Sequence, residues 1–247
     1  MTSPNRQVTT FFSPILVSKE ERSEDYISVV VDILRATTTI CTAVYYGATI
    51  VPVATLQEIR QAKQQGFPIA GERLEEGFEN ADFGNSAMEF MTERINGIEI
   101  VQSTTNGTKA IMKALEQKPK EILIGSFANI SALSAYLIEQ NCNVEIICSG
   151  WRSNFCLEDS MFAGALASRL FKAGFTTCDD STHASLYLYN EAKQDLWAYL
   201  EKAKHIHKLR RHHLDDVFPY TFTLDTCPIV PKVFFEDGKW KIRKTEI

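Results

Sequence analysis

The fold class is decided by the stretch Ile27-Ser-Val-Val-Val-Asp-Ile-Leu-Arg-Ala-Thr-Thr-Thr-Ile-Cys41. The residues before Asp32 are almost all β-branched, as expected of a strand that is covered on both faces. After Thr39, apolar residues recur at the three-to-four spacing of one helix face. The polar residues between these two segments therefore form a turn that leads from a buried strand into a helix.

The same order of strand, polar turn and helix recurs three times along the chain. The predicted strands cover 98–103, 121–125 and 144–148, and the helices that follow them cover 109–115, 130–139 and 157–172. Short strands are also expected at 8–18, with a break at Pro14, at 49–54 and at 69–71, and a helix is expected at 57–65. Alternation at this spacing is typical of right-handed βαβ crossovers. The sequence therefore predicts a three-layer α/β fold, with a mainly parallel or mixed sheet and helices on both faces.

The domain organisation follows from the length. With 247 residues the chain can form one domain over 1–247 or two similar lobes, whose boundary would fall near 115–145. The part from 175 to 247 is less regular. There we expect a long amphipathic helix over 191–213 and an irregular, strand-rich tail over 221–247.

Composition narrows the class of protein. The chain is 45% hydrophobic and 23% charged, with a net charge of -5, which argues against disorder and against a broad nucleic-acid surface. No apolar stretch is long enough to span a membrane, and the first residues lack the apolar segment of a secretory signal. The six cysteines form no C-x-x-C pair. We therefore expect a cytoplasmic protein with buried, reduced thiols, and we leave open whether it forms a homodimer.

Polar turns follow the predicted strands and would meet at one edge of the sheet, where open α/β sheets bind ligands. Backbone N–H groups and hydroxyls at the first turn of a helix favour an anion, although such residues also cap helices in every α/β protein. Glycine within the turn 104–108 would let a ligand approach the backbone closely. The turn residues that we expect at an anion site are Thr37, Thr38, Thr104, Thr105, Asn106, Gly107, Thr108, Ser126 and Asn129.

Charged residues near the same edge suggest a metal ion and an anionic ligand. A few carboxylates, together with water and substrate oxygens, suit Mg²⁺. The alternative for the Glu158-Asp159 pair is a favourable place in the first turn of a helix. Arginine binds oxyanions with two parallel donors, but any one arginine could instead balance a nearby carboxylate. The candidates are Asp32, Glu72, Asp82, Glu158 and Asp159 for Mg²⁺, and Arg35, Arg73 and Arg152 for the anion.

Two known phosphatase signatures are absent. A covalent aspartyl-phosphate site needs a second acid two residues after the first, but Asp32 is followed by Ile33 and Leu34. Cys148 and Arg152 lie four positions apart, not six as in cysteine phosphatases. Cys156 is a candidate nucleophile, for which we favour an inert thiol. Direct attack by a water molecule held by the metal is the simpler hypothesis for ester cleavage.

Four histidines at 205, 207, 212 and 213 resemble a ligand cluster. They fall among lysines and arginines in a stretch of amphipathic spacing. We therefore expect them to form a solvated, basic helix face.

Several motifs together resemble the 2-phosphosulfolactate phosphatase family over about residues 27–170. In order they are Val31-Asp-Ile-Leu-Arg-Ala-Thr-Thr-Thr, Gly71-Glu-Arg, Phe83-Gly-Asn-Ser, Thr104-Thr-Asn-Gly-Thr, Gly125-Ser-Phe-Ala-Asn, and Cys148-Ser-Gly followed by Leu157-Glu-Asp and Ala163-Gly. The resemblance implies a Mg²⁺-dependent phosphoric monoester hydrolase. Such an enzyme converts 2-phosphosulfolactate, or a related small acidic phosphate ester, to sulfolactate and phosphate, a step toward coenzyme M.

Two alternatives to a phosphatase are a sugar-phosphate isomerase, which needs a poised general base, and a non-catalytic protein that binds phosphate.

Charge type suggests how the residues within these motifs divide their roles. For catalysis we expect Asp32, Arg35, Glu72, Asn106 and Asp159; for the metal Asp32, Glu72, Glu158 and Asp159; and for substrate Thr37, Thr38, Arg73, Thr104, Thr105, Gly107, Thr108, Ser126, Asn129 and Arg152.

Overall fold

The structure is a computed structural model that describes residues 6–17, 25–72 and 80–245. No helix in the described ranges is both long and apolar enough to cross a membrane. The strands are β1 (Val8–Phe11), β2 (Tyr26–Val31), β3 (Thr49–Pro52), β4 (Ile69–Ala70), β5 (Glu99–Gln102), β6 (Glu121–Gly125), β7 (Asn143–Cys148), β8 (Pro231–Glu236) and β9 (Lys239–Lys244). Within the described residues these nine strands form one sheet in the order β1-β7-β2-β6-β8-β9-β3-β5-β4.

The α-helices follow the strands in the order that the sequence predicts as far as residue 172, with boundaries that differ by at most two residues. The helices are α1 (Ala36–Tyr45), α2 (Leu56–Gln64), α3 (Gly107–Gln117), α4 (Ile130–Gln140), α5 (Leu157–Lys172), α6 (Asp180–Ala192), α7 (Leu196–Leu200), α8 (Lys204–Arg211) and α9 (Phe218–Thr221).

The sheet is mixed, as expected, because an antiparallel hairpin separates two parallel parts. Strands β1, β7, β2 and β6 are parallel to one another, and so are β3, β5 and β4. The hairpin of β8 and β9 lies between them: Lys232 of β8 pairs with Leu123, and Ile242 of β9 pairs with Ile50. The tail that the sequence predicts as irregular is therefore a regular hairpin in the middle of the sheet.

Alternate residues of β2 show the three layers. Val29 and Val31 pack into a core shared with α4 and α5, whereas Val30 packs into a second core shared with α1 and α3. Side chains of a strand point to opposite faces in turn, so an apolar strand with both faces buried requires helices on both sides. The predicted three-layer α/β architecture is confirmed.

Two local predictions are wrong. The long helix predicted over 191–213 is interrupted, because the Asp195 carboxylate accepts the N–H of Ala198 and begins a new helix. The spacing of Ser86 and Glu89, three residues apart, also predicts a capping box, which does not form. The Glu89 carboxylate instead accepts the N–H of Gly84 at 3.0 Å, and Ala87–Phe90 is a 3-10 turn.

Helices α5 and α6 cross in close contact at Gly164. A Cβ atom at this position would overlap the backbone carbonyl of Ser185 on α6. Backbone cannot move aside as a flexible side chain does, so the crossing requires a residue without a side chain here. This contact matters for the site because α5 begins with Glu158 and Asp159.

We expect Gly164→Ala to lower the free energy of unfolding by about 1–3 kcal/mol, as is usual for overpacking of a well-packed core. Urea unfolding followed by circular dichroism measures the difference. Ser168→Ala, one turn further along α5, is the matched control and should change the free energy by less than about 0.5 kcal/mol. Equal stability of the two variants would contradict the close crossing.

Candidate active site

The turn between β2 and α1 is held by its own threonines. Thr37 Oγ1 accepts the N–H of Asp32 at 3.0 Å, and the N–H of Thr37 donates to the Asp32 carbonyl. Thr38 Oγ1 donates to the Ile33 carbonyl at 3.0 Å. Both hydroxyls are buried. The structure therefore uses Thr37 and Thr38 to fix the backbone beside Asp32 and does not bring them to a ligand surface.

Asp159 connects the ends of two neighbouring strands. Its Oδ1 accepts the N–H of Ile33, after β2, at 2.8 Å, and its Oδ2 accepts the N–H of Gly150, after β7, at 3.1 Å. Because both oxygens are occupied by backbone donors, Asp159 is placed to position the two turns. Asp159 lies near Asp32, as expected, but its carboxylate is directed at the backbone.

The first turn of α3 approaches Asp32 closely. Thr104 and Thr108 bond reciprocally, each hydroxyl accepting the backbone N–H of the other, which fixes the turn. A Cβ at Gly107 would lie 3.0 Å from Asp32 Oδ2 and 2.6 Å from the Ala36 Cβ. Glycine is needed here because the helix start packs directly against the aspartate and α1.

Three further expected residues, Ser126, Asn129 and Asp82, contribute no side chain to the lining of this site. Asn129 Oδ1 accepts the N–H of Ser126, and Asn129 Nδ2 donates to the carbonyls of Ile124 and Ile229. Both Ser126 and Asn129 are fully buried, so they stabilise the end of β6. Asp82 accepts the N–H of Ile69 at 2.9 Å. Arg73 lies outside the described residues.

A cleft of about 210 Å³ opens beside Asp32. Carboxylates and cationic side chains both line it, as a site for an anionic ligand and a metal ion requires. The remaining lining is amide, hydroxyl and apolar. The lining residues are Asp32, Leu34, Arg35, Glu72, Asn85, Thr105, Asn106, Trp151, Arg152, His205, Lys208, Leu209, His212 and Leu214.

Asn106 and Arg152 meet at the cleft wall. Asn106 Oδ1 accepts the backbone N–H of Arg152 at 3.3 Å. This bond joins the turn before α3 to the turn after β7. The Leu34–Arg35 peptide, which begins two residues after Asp32, is cis.

Helix α8 contributes a wall that the sequence analysis did not predict. His205 Nδ1 lies 2.8 Å from Glu158 Oε1, and the imidazole stacks on Trp151 with ring centroids 5.8 Å apart. Lys208 Nζ lies 5.5 Å from the centre of the Trp151 ring. The prediction that all four histidines lie on a solvated face is wrong for His205, because Ile206 and Leu209 bury α8 against the core and turn His205 inward. His207, His212 and His213 are exposed.

Burial dominates the electrostatics of Asp32. It raises the pKa of the carboxyl from 3.8 to about 7, with His205 acting against this rise and Glu72 and Glu158 adding to it. The pKa of Asp159 is also raised, first by burial and then by Asp32. The pKa of Arg35 is lowered by burial, against the effect of neighbouring carboxylates including Glu72. The cleft thus concentrates like charges in a place with little water.

The buried carboxylate of Glu158 bears on whether the residues of the site suit a metal ion. Its side chain is 1% exposed, and its Oε2 has no hydrogen-bond partner among the described residues. A buried carboxylate oxygen of this kind is costly unless a cation or donor compensates it. Asp32, Glu72 and Glu158 are ligands of the type that a hard divalent cation such as Mg²⁺ takes. Their oxygens would have to draw together to share one ion, because among the described residues only Cys156, Glu158 and His205 have donor atoms within 4.8 Å of one another.

Cys156 is not an activated nucleophile. Burial raises the pKa of its thiol, and the carboxylates of Asp159 and Glu158 raise it further. At neutral pH the group is a thiol, the weaker nucleophile. This agrees with the inert thiol that the sequence analysis favours.

Comparison with known proteins decides the family. The sequence model of the family described as 2-phosphosulpholactate phosphatase matches residues 11–234. The chain belongs to the 2-phosphosulfolactate phosphatase family. The family name denotes phosphoric monoester hydrolases, and the match extends well beyond the motifs at 27–170, into β8.

Relatives named "Probable 2-phosphosulfolactate phosphatase" cover most of the chain. One from Gloeobacter violaceus is 36% identical over 232 residues, which are 92% of this chain and 94% of the relative. One from Caldanaerobacter subterraneus subsp. tengcongensis is 31% identical over 210 residues, or 83% and 86% of the two chains. One from Thermotoga petrophila is 40% identical over 144 residues, or 58% and 62%.

The residues that sequence reasoning missed in this member of the 2-phosphosulfolactate phosphatase family are His205, Lys208 and Trp151. A signal for the first two exists. Positions 205, 208 and 212 are spaced by three and four, so they share one face of a helix. That this face meets a cleft depends on contacts distant in sequence, such as the stack on Trp151, which no local pattern encodes.

We expect Asp32→Asn to make this phosphatase-family protein more stable than the wild type at pH 8 in the presence of a chelator. Between pH 4 and 7 the native wild type binds a proton that the unfolded chain has released, so its free energy of unfolding falls as pH rises through this window. The variant lacks this loss, which is on the order of a few kcal/mol.

Thermal unfolding measures the effect at about pH 4.5, near the lower end of that window, and at about pH 8, above it. The difference between the variant and the wild type should grow with pH. Asp180→Asn, at an exposed position on α6, is the control and should show no such growth. A wild type that is the more stable at pH 8 would contradict the raised pKa.

Proposed function

We propose that the chain is a Mg²⁺-dependent phosphatase that hydrolyses 2-phosphosulfolactate, or a closely related small acidic phosphate monoester, to sulfolactate and phosphate. The observation that carries the proposal is the single cleft that Asp32, Glu72, Arg35 and Arg152 line together. The family to which the chain belongs supports the substrate. The coenzyme M pathway is the context that this substrate suggests.

The charges of the cleft suit the substrate. 2-Phosphosulfolactate carries a phosphate, a carboxylate and a sulfonate on three carbon atoms. Arg35, Arg152 and Lys208 offer three cationic side chains around one small cleft. Guanidinium groups match phosphate and sulfonate oxygens with two parallel donors, and the lysine ammonium acts as a point charge. A substrate with three anionic groups would therefore be favoured over a simple monoester.

Asp32, Glu72 and Glu158 would hold Mg²⁺, whereas Asp159 would position the turns that carry Asp32 and Trp151. The ion would supply Lewis-acid polarisation of the phosphoryl group and compensation of its charge. Asp32 lies at the start of a cleft wall whose backbone is fixed by Thr37 and Asp159, so its carboxylate is held without reorganisation.

Arg35 and Asn106 would bind the phosphoryl oxygens and orient the ester for attack by water. As the oxygen of the attacking water bonds to phosphorus, the water releases a proton to solvent, the bond between phosphorus and the ester oxygen breaks, and the leaving oxygen needs a proton. His205 would give it: Glu158 holds Nδ1, which leaves Nε2 as the ring nitrogen that can meet substrate. Trp151 and α8 cover the cleft and exclude water, which strengthens these interactions.

The proposal predicts that chelation abolishes hydrolysis of 2-phosphosulfolactate and that added Mg²⁺ restores it. Asp32→Asn should remain folded by circular dichroism and lose hydrolysis at saturating Mg²⁺, because a metal ligand is lost. Release of inorganic phosphate measures both effects, with Asp180→Asn as the control that retains activity. Activity that survives chelation would exclude the role of Mg²⁺. Binding of phosphate without turnover of any phosphorylated hydroxy acid would favour a non-catalytic anion-binding protein.

Replacing Arg35 should weaken binding of the transition state. Arg35→Ala should cost about 1.5–3 kcal/mol of transition-state stabilisation, calculated from the fall in kcat/KM, because the guanidinium would make a charge-assisted hydrogen bond to the phosphoryl group. Arg94→Ala, at an exposed position away from the cleft, should leave the kinetics unchanged. Steady-state kinetics measure the effect, with unfolding curves recorded in parallel. Ordinary kinetics for a folded Arg35→Ala variant would remove Arg35 from the site.

A further inference from the structure

Cys156, Glu158 and His205 form a cluster of sulfur, oxygen and nitrogen donors at the start of α5. One donor atom from each, Cys156 Sγ, a Glu158 carboxylate oxygen and an imidazole nitrogen of His205, lies within 4.8 Å of the others. Cys156 and Glu158 are buried, and the side chain of His205 is 11% exposed. The phosphatase mechanism above gives Cys156 no role.

A second observation points to a cation. Glu158 Oε2 is buried and has no hydrogen-bond partner among the described residues, although Oε1 is bonded to His205. Asp159 follows Glu158 in the first turn of α5 and is buried with it, so a second carboxylate lies beside the first. A bound cation would supply the missing partner and compensate this negative charge.

The type of cation follows from the donors. Thiolate is a soft ligand that Mg²⁺ does not take, whereas Zn²⁺ and Co²⁺ accept cysteine, histidine and carboxylate together. In a tetrahedral site with bond lengths of about 2.0–2.3 Å, donor atoms lie roughly 3.3–3.8 Å apart. His205 Nδ1 and Glu158 Oε1, which lie 2.8 Å apart, would therefore separate slightly on binding the ion. Water can fill the fourth position.

We propose that Cys156, Glu158 and His205 bind a thiophilic divalent cation of the Zn²⁺ class. On binding, the Cys156 S–H bond breaks, a bond between sulfur and the metal forms, and one proton passes to solvent. This proposal does not depend on the proposed function. The two share Glu158 and His205, so such a cation would compete with Mg²⁺ and remove the imidazole from its place beside substrate.

Co²⁺ is the spectroscopic probe for this site. Metal-free protein titrated with Co²⁺ should develop the near-ultraviolet charge-transfer band of a thiolate bound to Co²⁺, and Zn²⁺ should displace it. Cys156→Ser should abolish the band, whereas Cys178→Ser should retain it, because Cys178 is exposed and outside the cluster. Absence of the band in the wild type, or its persistence in Cys156→Ser, would overturn the proposal.

His205 provides a second test that leaves the buried cysteine intact. His205→Ala should weaken Zn²⁺ binding by at least about tenfold in isothermal titration calorimetry, since even residues behind the ligands contribute about 10–100-fold. The matched control is His207→Ala, which removes an exposed histidine from the same helix and should bind Zn²⁺ as the wild type does. Equal affinity of the two variants would remove His205 from the site.

The outcomes separate this proposal from the phosphatase proposal. A charge-transfer band in a protein that hydrolyses no phosphate ester would support the cation site and reject the enzymatic function. Mg²⁺-dependent hydrolysis in a protein without the band would do the reverse. Where both are found, Zn²⁺ should inhibit hydrolysis, and raising the Mg²⁺ concentration should relieve the inhibition.

Discussion

The site depends on one buried carboxylate that bonds to two backbone N–H groups. Asp159 joins the turn after β2 to the turn after β7 through Ile33 and Gly150. Parallel strands bring these turns together, but register alone leaves the chain beyond each strand undefined. By bonding to both, Asp159 sets the positions of Asp32 on one side and Trp151 on the other. The cost of burying its charge is offset in part by these charge-assisted bonds.

That arrangement creates an excess of buried acid. Glu158 lies close enough to raise the pKa of both Asp32 and Asp159, and Asp32 raises the pKa of Asp159 as well. Arg35 supplies compensation, since nearby carboxylates favour its charged form against the effect of burial. Arg152 and Lys208 also line the cleft and add positive charge there. Any ion or ligand that binds only the folded chain would stabilise it, and this would link the stability of the fold to occupancy of the site.

The sequence predicts the fold as far as its signals are local. The β-branched residues of β2 and the periodic spacing of α1 follow from the side chains themselves, and the alternation of strands and helices gives the three layers. The place of the hairpin β8–β9 between β6 and β3 could not be predicted, because its pairing joins Lys232 to Leu123 across the chain. Likewise, the break at Asp195 rests on a cap that competes with an amphipathic pattern.

The candidate site shows the same division. Residue type placed Asp32, Arg35, Asn106 and Arg152 near one another, and they do line one cleft. Residue type could not distinguish a hydroxyl or amide that faces a ligand from one that forms hydrogen bonds with the backbone. Thr38 and Asn129 donate to carbonyl groups and are fully engaged there. In a buried turn, backbone N–H and C=O groups without a backbone partner need hydrogen bonds, and most polar side chains there provide them. Few such side chains remain free to bind a ligand.

The cover of the cleft explains why the C-terminal third is part of the site. The edge of a parallel sheet supplies a floor of turns and helix starts, which alone stays open to water. Helix α8 closes it because Ile206 and Leu209 anchor one face in the core while His205 and Lys208 reach Trp151. The apolar anchor and the polar face are inseparable on one short helix. A change that loosens the anchor would therefore reach the site through Glu158, whose bond to His205 spans the two halves of the wall.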